Sequence, residues 1–207
     1  PLHRVNRIRR IVVATYQSVS GTGSAAVEAL TQETRQVLDG TAVTPHVYPH
    51  QIAFNMLPHI DVFLDNGYTR EEWKMVEETR KIMHAPEMAV TATCVRVPVY
   101  RAHSEAVHIE LDHFMQADTA RELLAHAPGV KLLDDPSVDL YPMPWQAENS
   151  DEVYVGRIRA DASHEKGLAL WVVSDNLRKG AALNAVQIAE LVAARGWIKP
   201  EERRGEQ

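Results

Sequence analysis

Apolar and polar positions along the chain change period several times, and each change marks an element. The stretch from Ile8 to Tyr16 reads as one apolar strand that runs into the turn Ser20-Gly21-Thr22-Gly23. From Ala25 to Leu38 the spacing switches to helical, through Ala26, Leu30, Thr34 and Val37, and it stops at Gly40. A strand, a tight loop and a helix follow one another. Residues 41 to 58 carry prolines and histidines without periodicity, the pattern of a long functional loop.

Thr69-Arg70-Glu71-Glu72 is a capping box, in which the Thr69 hydroxyl accepts a backbone N–H and Glu72 reaches back. It predicts a helix to about Met83, ahead of Pro86. A strand is expected from about Ala89 to Val99 and a second from Ser104 to Leu111, where Val107, Ile109 and Leu111 alternate with His108 and Glu110. One face of that strand is wet. Asp118 or Thr119 is expected to cap a short helix ending at Pro128-Gly129, and a Pro-rich segment from Pro136 to Pro144 crosses toward strands at Glu152 to Ala160 and Gly167 to Ser174. A last helix spans about Gly180 to Arg195 and is stopped by Gly196. Strands in succession with inserted helices give an α+β fold with a mixed, largely antiparallel sheet. The expected division is one domain over residues 1 to 198 and a charged tail over 199 to 207.

Composition narrows the function classes. With 207 residues, 45% of them apolar, the chain has enough material for a substantial core. A net charge of -6 argues against a sequence-independent grip on nucleic acid, and the one dense basic stretch, Arg4, Arg7, Arg9 and Arg10, reads as a solvated strand flank. No apolar run approaches the ~20 residues of a membrane helix and no signal peptide opens the chain, so a soluble, cytoplasmic protein without a membrane partner is expected. The single cysteine, Cys94, excludes a disulfide framework. It sits inside the β-branched run Val90 to Val97, where a thiol behaves as a small hydrophobe rather than a nucleophile. His103, His108 and His113 are spaced by five along strands, on alternate faces and without a helical i, i+4 pair, and no metal site is expected from them.

Several polar residues stand where chemistry is possible. Arg96 interrupts an apolar strand, so its guanidinium needs either an internal carboxylate or the carboxylate of a ligand. Glu71 and Lys74 lie one helical turn apart and on one face, an ordinary surface ion pair or a ligand contact. His103 titrates near neutral pH and is an acid/base candidate.

Four segments carry a family resemblance: Tyr16-Gln17-Ser18-Val19-Ser20-Gly21-Thr22-Gly23, Arg70-Glu71-Glu72-Trp73-Lys74, Cys94-Val95-Arg96-Val97-Pro98-Val99-Tyr100-Arg101-Ala102-His103-Ser104, and Ser174-Asp175-Asn176-Leu177-Arg178-Lys179-Gly180-Ala181-Ala182. In order and spacing they resemble the C-terminal domain of the aspartate-semialdehyde dehydrogenases, from about Pro1 to about Arg195. The resemblance implies a fold like the C-terminal domain of glyceraldehyde-phosphate dehydrogenase and the NADPH-dependent reduction of L-aspartyl 4-phosphate to L-aspartate 4-semialdehyde and phosphate, on the route to lysine, threonine and methionine. It implies His103 as acid/base, Gln17 as the residue orienting the acyl intermediate, Arg96 for the substrate carboxylate, Glu71 for its amino group and Lys74 for the phosphate. Ser20, Gly21, Asn176 and Gly180 would border the nicotinamide half of NADP, with amides at the start of the last helix facing it.

The family's nucleophilic cysteine lies in an Asn-Cys-Ser/Thr turn ahead of the position of Pro1, and its main nucleotide site is on an N-terminal domain. Neither stands in this sequence, which is therefore expected to be a fragment without turnover. The family also implies a homodimer formed through the sheet. Val107, Ile109 and Leu111, with Val153, Val155 and Ile158, are candidates for that face or for the domain's own core. Two rival readings are a non-catalytic dimerisation or substrate-binding module of the same fold and a related acetylglutamyl-phosphate reductase. The Glu71-x-x-Lys74 pair and the Val95-Arg96-Val97 strand fit the aspartyl enzyme better, and five retained polar residues argue against a purely structural module.

Overall fold

Hydrogen-bond pairing, not chain order, organises this molecule: among the described residues six strands form one sheet in the order β2-β1-β3-β6-β5-β4. The computed structural model describes residues 1 to 197, so the charged tail expected over 199 to 207, and the domain end at 198, lie outside the described residues. The strands are β1 (Ile8–Gln17), β2 (Ala89–Arg96), β3 (His103–Leu111), β4 (Val130–Leu132), β5 (Val153–Ala160) and β6 (Gly167–Ser174). The helices are α1 (Leu2–Val5), α2 (Ser24–Leu38), α3 (Arg70–Ile82), α4 (Ala117–Ala125), α5 (Pro144–Ala147) and α6 (Leu183–Ala194). The pairs β1/β2 and β4/β5 are parallel, and the three central pairings are antiparallel. The fold is α+β with a mixed sheet, as the alternation of elements predicts.

One face of the sheet carries the core. Ile109 and Leu111 of β3, Val155 and Ile158 of β5 and Leu168 and Leu170 of β6 pack with Ala120 and Leu124 of α4 and with Met88, and Val107 and Val153 join at the margin. The six residues named as candidates for a dimer face therefore turn into the domain's own core, because burial against α4 removes their apolar surface from water without a second chain. The opposite face bears Arg10, Val12, His108 and Glu110, which line one shallow depression with Asp161 and Ser163. Trp171 and Tyr16 meet on that face with ring centroids 5.4 Å apart. A bulge in β5 between Gly156 and Arg159 is held by the Asp134 carboxylate, which accepts from Arg157 N (2.7 Å) and Ile158 N (3.1 Å).

Three local expectations change. The helix α4 starts after Gln116, so Asp118 lies inside its first turn and pairs with Arg121 instead of capping, and Thr119 lies deeper still. β2 stops at Arg96, short of Val99, as the chain ahead of Pro98 leaves the ladder. The short strand β4 has too few residues for a visible period. The capping box at Thr69 forms as read, with Thr69 accepting from Glu72 N and Glu72 from Thr69 N.

Candidate active site

The parallel register of β1 and β2 sets Gln17 opposite Arg96 at the carboxyl ends of both strands. Beyond Gln17 the chain stays attached to the connection after β2: Val97 N donates to Gln17 O (3.0 Å), Val19 N to Val99 O (2.9 Å) and Ser20 N to Tyr100 O (3.2 Å). This zipper carries the Ser18 to Gly21 turn alongside the start of β3, which begins at His103. His103 Nδ1 accepts from Ser18 N at 3.0 Å and lies 3.0 Å from Ser18 Oγ.

Gly21 is the contact between the two most important side chains. A Cβ built on it would stand 3.1 Å from Arg96 Nη1 and 3.3 Å from His103 Nε2, tighter than ordinary packing, so the glycine is needed for close approach. Nε2 is thus the ring nitrogen that faces Arg96 across the turn. A backbone N–H only donates, so Nδ1 holds a lone pair and the proton of the neutral ring sits on Nε2. Burial, and then the Arg96 charge, depress His103 to about 4, and the ring is neutral at physiological pH.

Arg96 is 5% exposed. Its Nη1 donates to Ser18 O at 2.6 Å, its Nε finds no acceptor, and among the described residues no carboxylate pairs with it. Burial lowers its pKa, the direction expected of a cation without a counter-ion. Of the two partners the sequence allows for Arg96, an internal carboxylate is the one the fold does not provide.

The third element is α3, whose start is fixed to the edge of β2. Buried Glu72 accepts from Cys94 N (3.0 Å) as well as closing the capping box, and Leu57 pairs in both directions with Arg96 through N–O contacts of 2.8 and 2.9 Å. Leu57, at the end of the long loop, therefore covers the edge of β2 at Arg96, and Glu33 of α2 anchors the loop before it by accepting from Ile52 N (2.8 Å) and Ala53 N (3.2 Å). With α3 so placed, Glu71 stands between Gln17, whose Nε2 is 3.4 Å from Oε1, and Lys74, whose Nζ is 3.0 Å from Oε2. The hydrogen bond to Glu71 raises the Lys74 pKa.

The fold thus gathers Gln17, Gly21, Glu71, Lys74, Arg96 and His103 into one contiguous group at the strand ends, the candidate cleft. Ser20 and Asn176 lie behind His103: Asn176 Nδ2 donates to Ser20 Oγ (3.1 Å) and Asn176 Oδ1 accepts from Ala102 N (3.0 Å). Gly180 stands apart, in a π turn spanning Arg178–Ala182, and a Cβ there would meet only Asn176 Cβ and Asp175 O at 3.9 Å. The first amides of that turn are already taken, because Asp175 Oδ1 accepts from Leu177 N (2.8 Å) and Arg178 N (3.1 Å). Burial alone would raise Asp175, but these amides, Asn149 N and Arg101 hold it below the usual carboxylate range. The expectation that helix-start amides face a nucleotide loses those donors. Cys94 is fully buried, its thiol pushed up to about 11 by that burial. His108 bonds Asp161 across the other face (3.0 Å), and His113 pairs through its backbone with Asn6. A cavity of about 620 Å³ opens on that other face, lined by His108, Arg157, Arg159 and Trp171 among others, away from the cleft.

Sequence reasoning passed over Ser18, Glu33 and Asp175. Ser18 was visible only as the hydroxyl after Gln17 in a Ser-x-Ser-Gly turn, and nothing in the sequence showed that it touches both His103 and Arg96. Glu33 looked like one more polar helix residue.

Comparison with known proteins bears on this cleft. Residues 1–179 match the family described as semialdehyde dehydrogenase, dimerisation domain. The chain is 53% identical over 199 residues to an aspartate-semialdehyde dehydrogenase of Aquifex aeolicus, covering 96% of this chain and 58% of that protein. It is 57% identical over 200 residues to the enzyme of that name from Legionella pneumophila, again covering 58% of it. Among solved structures, aspartate semialdehyde dehydrogenase II of Vibrio cholerae, complexed with ASA, superposes with a TM-score of 0.90 at 47% identity, over 94% of this chain and 57% of that one. The chain spans under three fifths of the length of the curated relatives it matches.

Proposed function

The chain belongs to the semialdehyde dehydrogenase family, whose dimerisation domain it matches, and on that premise we propose that the protein carrying it is an aspartate-semialdehyde dehydrogenase. The proposed reaction is the NADPH-dependent reduction of L-aspartyl 4-phosphate to L-aspartate 4-semialdehyde and phosphate, a cytoplasmic step toward lysine, threonine and methionine. The observation that carries the reading is Arg96: a buried guanidinium with an unpartnered Nε, beside His103 at Gly21, is matched by a ligand carboxylate.

In the proposed mechanism Arg96 takes the substrate α-carboxylate and Glu71 its ammonium group. Lys74, half exposed on the outer side of Glu71, meets the phosphate. Gln17, held in the ladder beside Arg96, orients the acyl group by its side-chain amide. His103 presents Nε2–H at Gly21 and handles the proton of the reacting carbonyl oxygen. The thiolate that forms the acyl intermediate comes from the part of the relatives' length that this chain does not span, since Cys94 is buried, protonated and packed against Met75 of α3. NADPH, when bound, supplies the hydride. Ser20, Gly21, Asn176 and Gly180 are the residues proposed to border its nicotinamide end; the hydroxyl of Ser20 and the carboxamide of Asn176 are the donor and acceptor types that suit a ring carboxamide. Its main surface is likewise proposed to lie outside this chain. The protein is proposed to act as a homodimer joined through the sheet face opposite the core.

The test is a steady-state assay of the intact protein in the reverse direction. Phosphate- and NADP-dependent oxidation of aspartate semialdehyde is expected, and a preference for N-acetylglutamate semialdehyde, or no turnover of either, would overturn the reading.

A further inference from the structure

The groups behind His103 form a directed chain. Asn176 is orientated by Ala102 N–H, which must donate to Oδ1 (3.0 Å), so the atom facing Ser20 Oγ at 3.1 Å is Nδ2, a donor only. Ser20 Oγ accepts that proton, which frees its own for Ser18 Oγ at 3.1 Å, and Ser18 in turn has its proton for His103 Nδ1 at 3.0 Å. The competing arrangement would send both hydroxyls to Asn176 Oδ1 over longer separations of 3.2 and 3.3 Å. Successive donors pointing one way polarise each other, which favours the chain that ends on the ring. Ser18 N–H, at 3.0 Å from the same nitrogen, points in the same sense. The middle of the chain is out of water, with Ser18 fully buried and Ser20 9% exposed, while Asn176 and His103 at its ends are half-buried. Ser18 also accepts Arg96 Nη1 on its carbonyl, so one residue sets the positions of both side chains that meet at Gly21.

We propose that Ser18 is a positioning residue for His103, the last member of a donor chain running from Asn176 through Ser20, which fixes the ring as the Nε2–H tautomer and aims that proton at the reacting oxygen. The inference rests on His103 being the proton-handling group of the cleft. Two donors on Nδ1 also make the ring a poor base, because hydrogen bonding to the neutral form disfavours the charged one. Ser20 and Asn176, taken from sequence as nucleotide contacts, have this second task whether or not a nucleotide touches them.

The experiment uses the intact protein with its histidines labelled by 15N, the His103 signals being identified by their loss in His103→Gln. In the unsubstituted protein at neutral pH, Nδ1 is expected at the shift of a bare nitrogen and Nε2 at that of a protonated one. Ser18→Ala leaves the backbone donor and removes the hydroxyl, and is expected to move the ring's titration up by about half to one pH unit and to lower kcat by about tenfold at nearly constant KM. Ser20→Ala, one step further up the chain, is expected to give a smaller upward shift, and it tests the chain independently should Ser18→Ala fold poorly. A protonated Nδ1 in the unsubstituted protein, or titrations unmoved by both substitutions, would overturn the proposal. The ring measurements need no turnover: the expected tautomer and shifts without aspartate-semialdehyde oxidation would leave the positioning standing and the proposed reaction refuted, and the reverse result would do the opposite.

Discussion

His103 and His108 stand five residues apart on one strand and live by opposite rules. His108 lies on the open face, bonded to Asp161, among Arg10 and Glu110, which pair with each other. The charges around His108 are paired within the chain, Arg10 with Glu110 and His108 with Asp161. His103 lies on the covered face at the strand ends, beside a buried guanidinium that no carboxylate neutralises and against a serine that offers only neutral dipoles. Leaving a buried cation without a counter-ion costs several kcal/mol, whereas compensated surface charge costs little. The difference separates a surface finished by its own chain from a cleft that a ligand completes.

The comparison breaks most decisively at Arg96 and His103. In the intact protein Arg96→Leu is expected to reduce kcat/KM by roughly 10³-fold or more through both terms, and His103→Ala to lower kcat by roughly 10²- to 10⁴-fold with a modest change in KM. His108→Ala on the open face should stay within about twofold. Steady-state kinetics with circular dichroism as a check on folding decides it, and near-normal kcat/KM in both cleft variants would remove the site.

Acid sharpens the same contrast. His103 is held at about 4 in the fold against an ordinary value near 6.5, so its contribution to stability is fully present above about 6.5 and is lost as pH falls toward 4, where the unfolded ring takes up a proton that the folded one resists. The loss amounts to at most ~3 kcal/mol. Asp161, held low first by Ser163 and then by His108, contributes above the usual carboxylate value and is lost only at still lower pH. Denaturant unfolding between pH 7 and 4 should therefore show a fall in stability that His103→Gln removes and Asp161→Asn does not.

Gly21 tests the cleft's spacing rather than its charges. Its substitution by Ala puts a methyl group 3.1 Å from Arg96 Nη1 and 3.3 Å from His103 Nε2, and both side chains must yield by a few tenths of an ångström. Displacements of that size in a positioned site cost about tenfold in kcat. Gly129, around which nothing stands within 4 Å, makes a comparison on space alone, although its positive φ of 72° adds backbone strain to any substitution there. An unchanged kcat in Gly21→Ala would mean that Arg96 and His103 do not need their present separation.

How much of this was readable beforehand follows the same division. The strands at Ile8, Ala89, His103, Val153 and Gly167, and the helix after Thr69, announce themselves through period and capping, which are local properties. The gathering of Gln17, Glu71, Arg96 and His103 was legible through resemblance alone, since strand register and the attachment of the Ser18 turn to residues 97 to 100 join residues dozens of positions apart. Which face of β3 is covered was not legible, because Val107, Ile109 and Leu111 alternate identically whether a helix or a second chain covers them. Ser18 was missed for a related reason: its hydroxyl, amide and carbonyl meet Ser20, His103 and Arg96 only once the strands are in register, and no local pattern marks them.

The open face offers the next, smaller test. Arg10 pairs there with Glu110, Trp171 and Tyr16 give the face an aromatic centre, and Arg157 and Arg159 beside Trp171 offer charges that a second copy could meet. The 23.2 kDa chain is expected to scatter light at micromolar concentration as a species of at least twice that mass. A mass of one chain would show that the open face alone is not enough to bring two copies together.

Cys94 carries the smallest expected effect, and it tests whether position on the covered face is sufficient for chemistry. It lies two residues before Arg96 on the same side of β2, with its thiol 3.6 Å from Met75 Sδ and its amide held by Glu72. Arg96 nearby should favour a thiolate, yet burial dominates and pushes the thiol up to about 11, so below pH 9 it stays protonated and unreactive. Cys94→Ser in the intact protein is therefore expected to change kcat/KM by less than about twofold, with a stability loss of about 1 kcal/mol from burying a hydroxyl in place of the thiol. The chain by itself should show no turnover before or after the substitution. Turnover by the chain that vanished in Cys94→Ser would make Cys94 the nucleophile, and would mean that the strand opens enough in solution to expose a group that the fold keeps fully buried.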